Sequence, residues 1–250
     1  MATDVDINKL LEAGAHFGHK TERWHPKMAP YIYGKRGGTH IIDLTKTVDG
    51  LEVALAFLAK TAGNGKQVLI VGTKRQAQEI VKQVAEETNM PYVSERWLGG
   101  MLTNWNTIGG RVKYLQDLEN RMASGELANK YSKLEVQRFQ REIEQMNVLY
   151  GGVKELSNRP GAVFVTDIIS DANAVREANK LGIPIVAIVD SNADPSQVTY
   201  PIPANDDAIK TIQLILDYVK TAILSGKDSA KKIVAAAEKT EKSKPEPVKV

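Results

Sequence analysis

The chain has 250 residues, 42% of them hydrophobic, which is enough for a sizeable core; it carries a net charge of +3 and contains no cysteine. That rules out disulfide frameworks, thiolate metal sites and cysteine nucleophiles, and no apolar run approaches the ~18 residues of a membrane helix. The first residues have neither the basic nor the apolar region of a signal peptide, so a cytoplasmic location is expected.

Asp6 and Gly14 bracket a short helix over Ile7–Ala13. From Ala15 to Gly38 three histidines interleave with Phe17, Trp24, Tyr31, Tyr33 and the cations Lys20, Arg23, Lys27, Lys35 and Arg36. No helix or strand period fits, which predicts an extended, loop-like arm. His40–Leu44 reads as a strand, followed by a helix with Val48, Leu51, Leu55 and Leu58 on one face and Asn64-Gly65 as its end. Gln67–Thr73 is a continuous apolar strand of the kind buried on both faces of a parallel sheet. A helix from about Arg75 to Thr88 and a strand at Pro91–Val93 complete a βαβαβ series.

Arg96-Trp97-Leu98-Gly99-Gly100-Met101-Leu102-Thr103-Asn104-Trp105 then forms a joint. Trp97, Leu98, Met101 and Leu102 suit an internal plug, while Arg96, Asn104 and Trp105 suit a ligand-facing surface. Beyond it the period changes to helix alone, from Thr107 to about Met122 and from Lys130 to Tyr150. The stripes Val112, Leu115, Leu118, Met122 and Phe139, Ile143, Met146, Tyr150 are complementary, and the short connection at Ala123–Asn129 predicts an inserted antiparallel coiled-coil hairpin. The α/β pattern resumes with a strand at Ala162–Asp167, a helix at Asn173–Leu181 and a strand at Ile183–Asp190. Thr199–Pro203 must be an edge strand, because proline cannot donate to a central ladder. Asp206 is read as the cap of a strong helix ended by Gly226. A final amphipathic piece fades into a charged, Pro-broken tail expected to be disordered. The expected domains are 1–40, helix and arm; 41–105 and 153–226, the two halves of the α/β unit; 106–152, the hairpin; and 227–250, the tail.

Among chemistries, the turn Val71-Gly72-Thr73-Lys74-Arg75 lacks the glycines of a dinucleotide or P-loop cradle. Two cations beside a helix start would still suit a phosphate. The histidine spacing is no recognised zinc pattern, so no metal is expected. Asp167, Asp171, Asp190 and Asp194 gather after the late strands, where α/β enzymes place their sites. An enzyme acting on a phosphorylated metabolite there is the rival reading, although aspartate also serves turns and caps. Charge segregates: residues 1–40 carry 6 Lys/Arg against 4 Asp/Glu and 226–250 carry 7 against 4, whereas 157–225 carry 5 against 8. Basic ends can lie on a polyanion while the acidic part faces away or towards a protein.

Leu10–His19, Trp24–Met28, Val71–Arg75, Arg96–Trp105 and Leu181–Asn192 together resemble the bacterial small-subunit ribosomal protein S-two family, in the same order over roughly residues 5–225. The resemblance implies a flavodoxin/Rossmann-like parallel sheet flanked by helices and carrying the coiled-coil hairpin. It also implies a non-catalytic, cytoplasmic protein without cofactor or small-molecule substrate. Such a protein binds small-subunit rRNA beside neighbouring ribosomal proteins, joins the subunit late in assembly and helps dock ribosomal protein S-one. The residues expected to meet rRNA are Lys20, Arg23, Trp24, Lys27, Lys35, Arg36, Lys74, Arg75, Arg96, Asn104, Trp105, Arg111 and Lys113, through phosphate contacts with aromatic stacking.

Overall fold

The computed structural model describes residues 5–156 and 158–241, with side chains as far as residue 230. Helix α1 (Ile7–Ala13) starts where the Asp6 carboxylate accepts the Asn8 N–H at 2.9 Å and stops at Gly14 in the left-handed region.

The segment expected to be a loop-like arm is folded. Strands β1 (Phe17–Lys20), β2 (Ile32–Arg36) and β3 (Thr39–Ile42) form an antiparallel sheet in the order β1-β3-β2, with 3-10 turns at Thr21–Arg23 and Pro26–Tyr31 between the first two. Irregular register within β1 and β2 erases the two-residue alternation that would have disclosed them. Gly37 and Gly38, at φ +57° and +78°, close the β2–β3 hairpin, since both central positions of such a turn demand left-handed backbone. Strand β3 therefore belongs to this small sheet and does not begin the parallel series.

Helix α2 (Leu44–Gly63) is capped by Asp43, which accepts the Thr45 N–H, and leads into β4 (Val68–Val71). After a turn over 72–77 come α3 (Gln78–Thr88), β5 (Tyr92–Val93) and the joint, which opens α4 (Trp105–Ala123). The connection read as a loop contains α5 (Glu126–Lys130) before α6 (Lys133–Tyr150). Leu115, Leu118, Leu127 and Ile143 form a cluster of their own between these helices, joined by Met122, Phe139, Met146 and Tyr150, whereas Val112 of the first stripe packs with Trp97 and Met101. The chain continues through β6 (Ala162–Val165), α7 (Ala172–Lys180), β7 (Ile185–Val189), β8 (Tyr200–Pro203) and α8 (Ile209–Glu241).

Strands β4 to β8 make one parallel sheet in the order β5-β4-β6-β7-β8, with the proline-bearing β8 at an edge as expected. Counted alone, these strands run 2-1-3-4-5, the doubly wound order whose direction of winding reverses between β4 and β6. Successive residues of each buried strand feed opposite cores. Ile70, Phe164 and Ile188 meet α2, α3 and α8, whereas Leu69, Val165 and Ala187 meet α7 and the plug residues Trp97, Met101 and Leu102.

Two helix boundaries differ from the sequence reading. Asn205 forms the turn ahead of α8, its side-chain oxygen accepting the Asp207 and Ala208 N–H groups at 2.8 and 3.1 Å, while Asp206 turns inward. Gly226 does not end α8, which runs on to Glu241; the expected tail beyond it, 242–250, lies outside the described residues.

Candidate nucleic-acid interface

The crevice at the winding reversal, where this fold places ligands by default, is closed from within. Thr73, just past β4, donates from its hydroxyl to Asp171 at 2.8 Å and from its N–H at 3.2 Å. Asp171 thus binds across the crevice instead of capping α7. Beside it the Lys74 ammonium reaches Asp206 and Asp207, each at 2.7 Å, and Asp167 at 3.4 Å. Burial opposes its charge, but the hydrogen bonds to Asp206 and Asp207 prevail and hold Lys74 above the ordinary lysine range.

The carboxylates around it divide. Burial, then Asp167 and Asp190, raises Asp206 to about 7 against the pull of Lys74. Burial likewise raises Asp171 to about 6. Asp167 is pushed up by burial, yet Ser170, the Ile169 N–H and Lys74 bring it below its usual value. His19 is raised chiefly by its hydrogen bond to Asp190, whose carboxylate lies 3.1 Å from Nδ1; its Nε2 is 3.4 Å from Asp207.

His19, Asp206 and Asp207 form the only group among the described residues whose potential metal-ligand atoms converge, all within 4.8 Å. Lys74 supplies a cation to the same two carboxylates, which offsets their charge without an ion. The late-strand aspartates are thus engaged in turns, bridges and ion pairs. The hydroxyls nearest them, Thr73 on Asp171 at 2.8 Å and Ser170 on Asp167 at 2.6 Å, belong to the same turns and bridges.

Of the Lys74–Arg75 pair expected to suit a phosphate, Lys74 is taken inward by its three carboxylate neighbours and Arg75 is exposed. The remaining predicted residues fall into two sets. Lys20, Arg23, Trp24, Lys27, Lys35 and Arg36 lie exposed on the small sheet and its turns. That sheet is moored to the β7 end by the His19 N–H on the Ser191 hydroxyl (2.8 Å) and the His25 N–H on the Ser191 carbonyl (2.8 Å). Trp24 is 40% exposed, its ring 5.2 Å from that of His40, and Lys27 is drawn to Asp194 and Ser196 at 2.8 and 2.7 Å. The second set follows the joint: Arg96, Asn104, Arg111 and Lys113 are exposed, and Trp105 is half-buried against the core. Asn104 accepts a hydrogen bond from the Thr107 hydroxyl at 3.1 Å.

Two residues of consequence were missed. Tyr33 is 80% exposed on β2, on the strand that carries Lys35 and Arg36; a hairpin reading of the Gly37-Gly38 pair would have found it. Glu177, on α7, accepts from Trp97 Nε1 (3.0 Å), the Gly100, Leu102 and Thr103 N–H groups (2.7, 3.0 and 3.0 Å) and the Thr103 hydroxyl (3.1 Å). Nothing in its local sequence discloses that role.

Among known proteins, the model of the family described as ribosomal protein S2 matches residues 10–226. A protein named small ribosomal subunit protein uS2 from Roseiflexus sp. (strain RS-1) is 48% identical over 231 residues, 92% of this chain and 88% of that protein. Its namesake from Coprothermobacter proteolyticus is 47% identical over 232 residues, covering 93% and 86%. That from Fusobacterium nucleatum subsp. nucleatum is 44% identical over 234 residues, covering 94% and 95%.

Proposed function

The chain belongs to the ribosomal protein S2 family, and from that premise we propose that it is a non-catalytic structural constituent of the cytoplasmic small ribosomal subunit that holds small-subunit rRNA mainly by its phosphates. One observation carries the rRNA reading. Lys20, Arg23, Lys35, Arg36, Arg75, Arg96, Arg111 and Lys113 are exposed and form no ion pair among the described residues, while Lys74 is taken up by the carboxylates of the crevice. Cations without protein counter-charges gain most by displacing counter-ions from a polyanion. Trp24, Asn104, Trp105 and the exposed Tyr33 add surfaces for unpaired bases. Lys27 shares its charge with Asp194 and contributes less.

The finer parts of the reading are late entry into the subunit, with 106–152 as a separate arm, and docking of ribosomal protein S-one on the acidic 157–225 surface. Capture of ribosomal protein S-one that survives ribonuclease is the expected sign of that docking.

Binding of the purified chain to small-subunit particles lacking it should weaken at least about a hundredfold between roughly 50 and roughly 200 mM salt, as several phosphate contacts require. Replacing Lys35 and Arg36 together by Gln should reduce the slope of that dependence. Salt-insensitive binding would sink the phosphate reading.

A further inference from the structure

The joint and the loop ahead of β6 border an open hollow of about 340 Å³. It lies beside the start of β6, whereas the acidic crevice lies beyond that strand's other end. Trp105, Asn104, Asn106, Asn158 and Arg159 line it together with the buried Met101 and Leu102. No carboxylate is among its described lining residues. The side chains of Asn106, Asn158 and Arg159 make no hydrogen bond or ion pair among the described residues.

These groups form a matched set. An indole offers a π-face on which any base can stack, and a carboxamide presents a donor and an acceptor in one plane, as the edge of a base does. The guanidinium suits a phosphate. Asn104 stands at the cap of the 19-residue α4 without capping it, and the first two residues of that helix, Trp105 and Asn106, line the cavity. The positive end of the helix dipole is therefore turned to the same space. A second hollow of about 680 Å³ shares Asn158 and Arg159, adds Lys66 and again has no carboxylate in its described lining, which continues a path for an anionic backbone. The first cavity sits at the lower end of the ~300–1,000 Å³ usual for small-ligand pockets, a size for one base with its sugar.

We propose that this cavity receives a single unpaired nucleotide of the small-subunit rRNA. Its base stacks on Trp105, its polar edge meets the Asn106 and Asn158 carboxamides, and its phosphate is held by Arg159 and the start of α4. The proposal rests on the rRNA-binding reading and adds to it one defined site where a base edge is read, beside contacts that are mainly to phosphate.

The test uses the full chain and small-subunit particles lacking it, with co-sedimentation to measure binding and chemical probing of base edges to find protected nucleotides. Asn158→Ala combined with Arg159→Gln alters an exposed loop, and an unchanged unfolding midpoint checks that the fold survives; Trp105→Leu keeps apolar bulk but removes the stacking face. The expected result is one base protected by the wild-type chain and unprotected with either variant, with affinity about tenfold lower, since stacking on one aromatic is commonly worth that much. Lys35→Gln with Arg36→Gln should weaken binding while leaving that base protected. Undiminished binding and protection in both pocket variants would overturn the pocket and leave the rRNA reading standing. Binding by the wild-type chain with no protected base would do the same. Failure of the wild-type chain to bind the particles would overturn both.

Discussion

Glu177 holds the joint from outside it. One half-buried carboxylate gathers five donors from Trp97 to Thr103, and three of these are backbone N–H groups in a stretch without regular structure. Burial disfavours its charge, but the bonds from Thr103, Trp97, Gly100 and Leu102 outweigh that and hold its pKa below the ordinary glutamate value. Glu177→Ala leaves those donors without their shared acceptor and should cost about 2–4 kcal/mol in urea unfolding, with faster amide exchange at Leu102 and Thr103. A loss within about 0.5 kcal/mol, the scatter of ordinary surface changes, would show that the plug residues hold the joint unaided. The plug itself was legible, because Trp97, Met101 and Leu102 are too apolar to remain outside and are indeed buried. Its anchor was not, because hydrogen bonds over more than seventy residues leave no local spacing to read. For Lys74 the reverse holds: two adjacent cations at a strand end read as a phosphate site, and only the fold brings three carboxylates to one of them.

Elements were legible where their period was long and their burial one-sided, as in α2, and where burial was complete, as in β4, β6 and β7. The small sheet was not, since its strands are four or five residues long, irregular in register and largely exposed. Gly226 shows how a local rule fails when packing decides. Glycine after an amphipathic run normally marks a helix end, yet here it lies inside α8 because the Ala59 backbone of α2 occupies the space a side chain would need. Gly110, inside α4, has open space around its missing Cβ. The same substitution should therefore act in opposite directions. Gly110→Ala should stabilise by up to about 1 kcal/mol through helix propensity. Gly226→Ala should destabilise by about 1–3 kcal/mol, because overlap with Ala59 forces α8 away from α2 and exceeds the propensity gain. Equal shifts of the two denaturation midpoints would show that propensity alone governs these helices.

Across the whole molecule charge is sorted by depth. Exposed cations occupy the small sheet and α4, and the carboxylates beyond β4, β6 and β7 are folded inward around Lys74 and His19. The sequence disclosed the sorting as an acidic third quarter, but not that the acid would be internally paired, because Lys74 and His19 come from elements far away in the chain. The inward cluster sets a pH dependence whose sign can be worked out. Asp206 and Asp171 have folded values near 7 and 6, above their ordinary 3.8, so each contributes stability that is fully present below about pH 4 and lost as pH rises through the folded value. His19 is raised above 6.5, so its contribution is present below 6.5 and lost above its folded value. Glu177 and Asp167 are depressed and act oppositely, but their contribution is lost only in more acidic solution, as pH falls through their folded values. Between pH 5 and pH 8 the first three therefore decide, and unfolding free energy should fall by on the order of 1–3 kcal/mol across that window. Asp206→Asn, which cannot ionise, should flatten much of the fall between about pH 5 and pH 7. A wild-type stability that stays level or rises from pH 5 to pH 8 would mean that Lys74 and His19 compensate the buried carboxylates in full, leaving no uncompensated charge in the crevice.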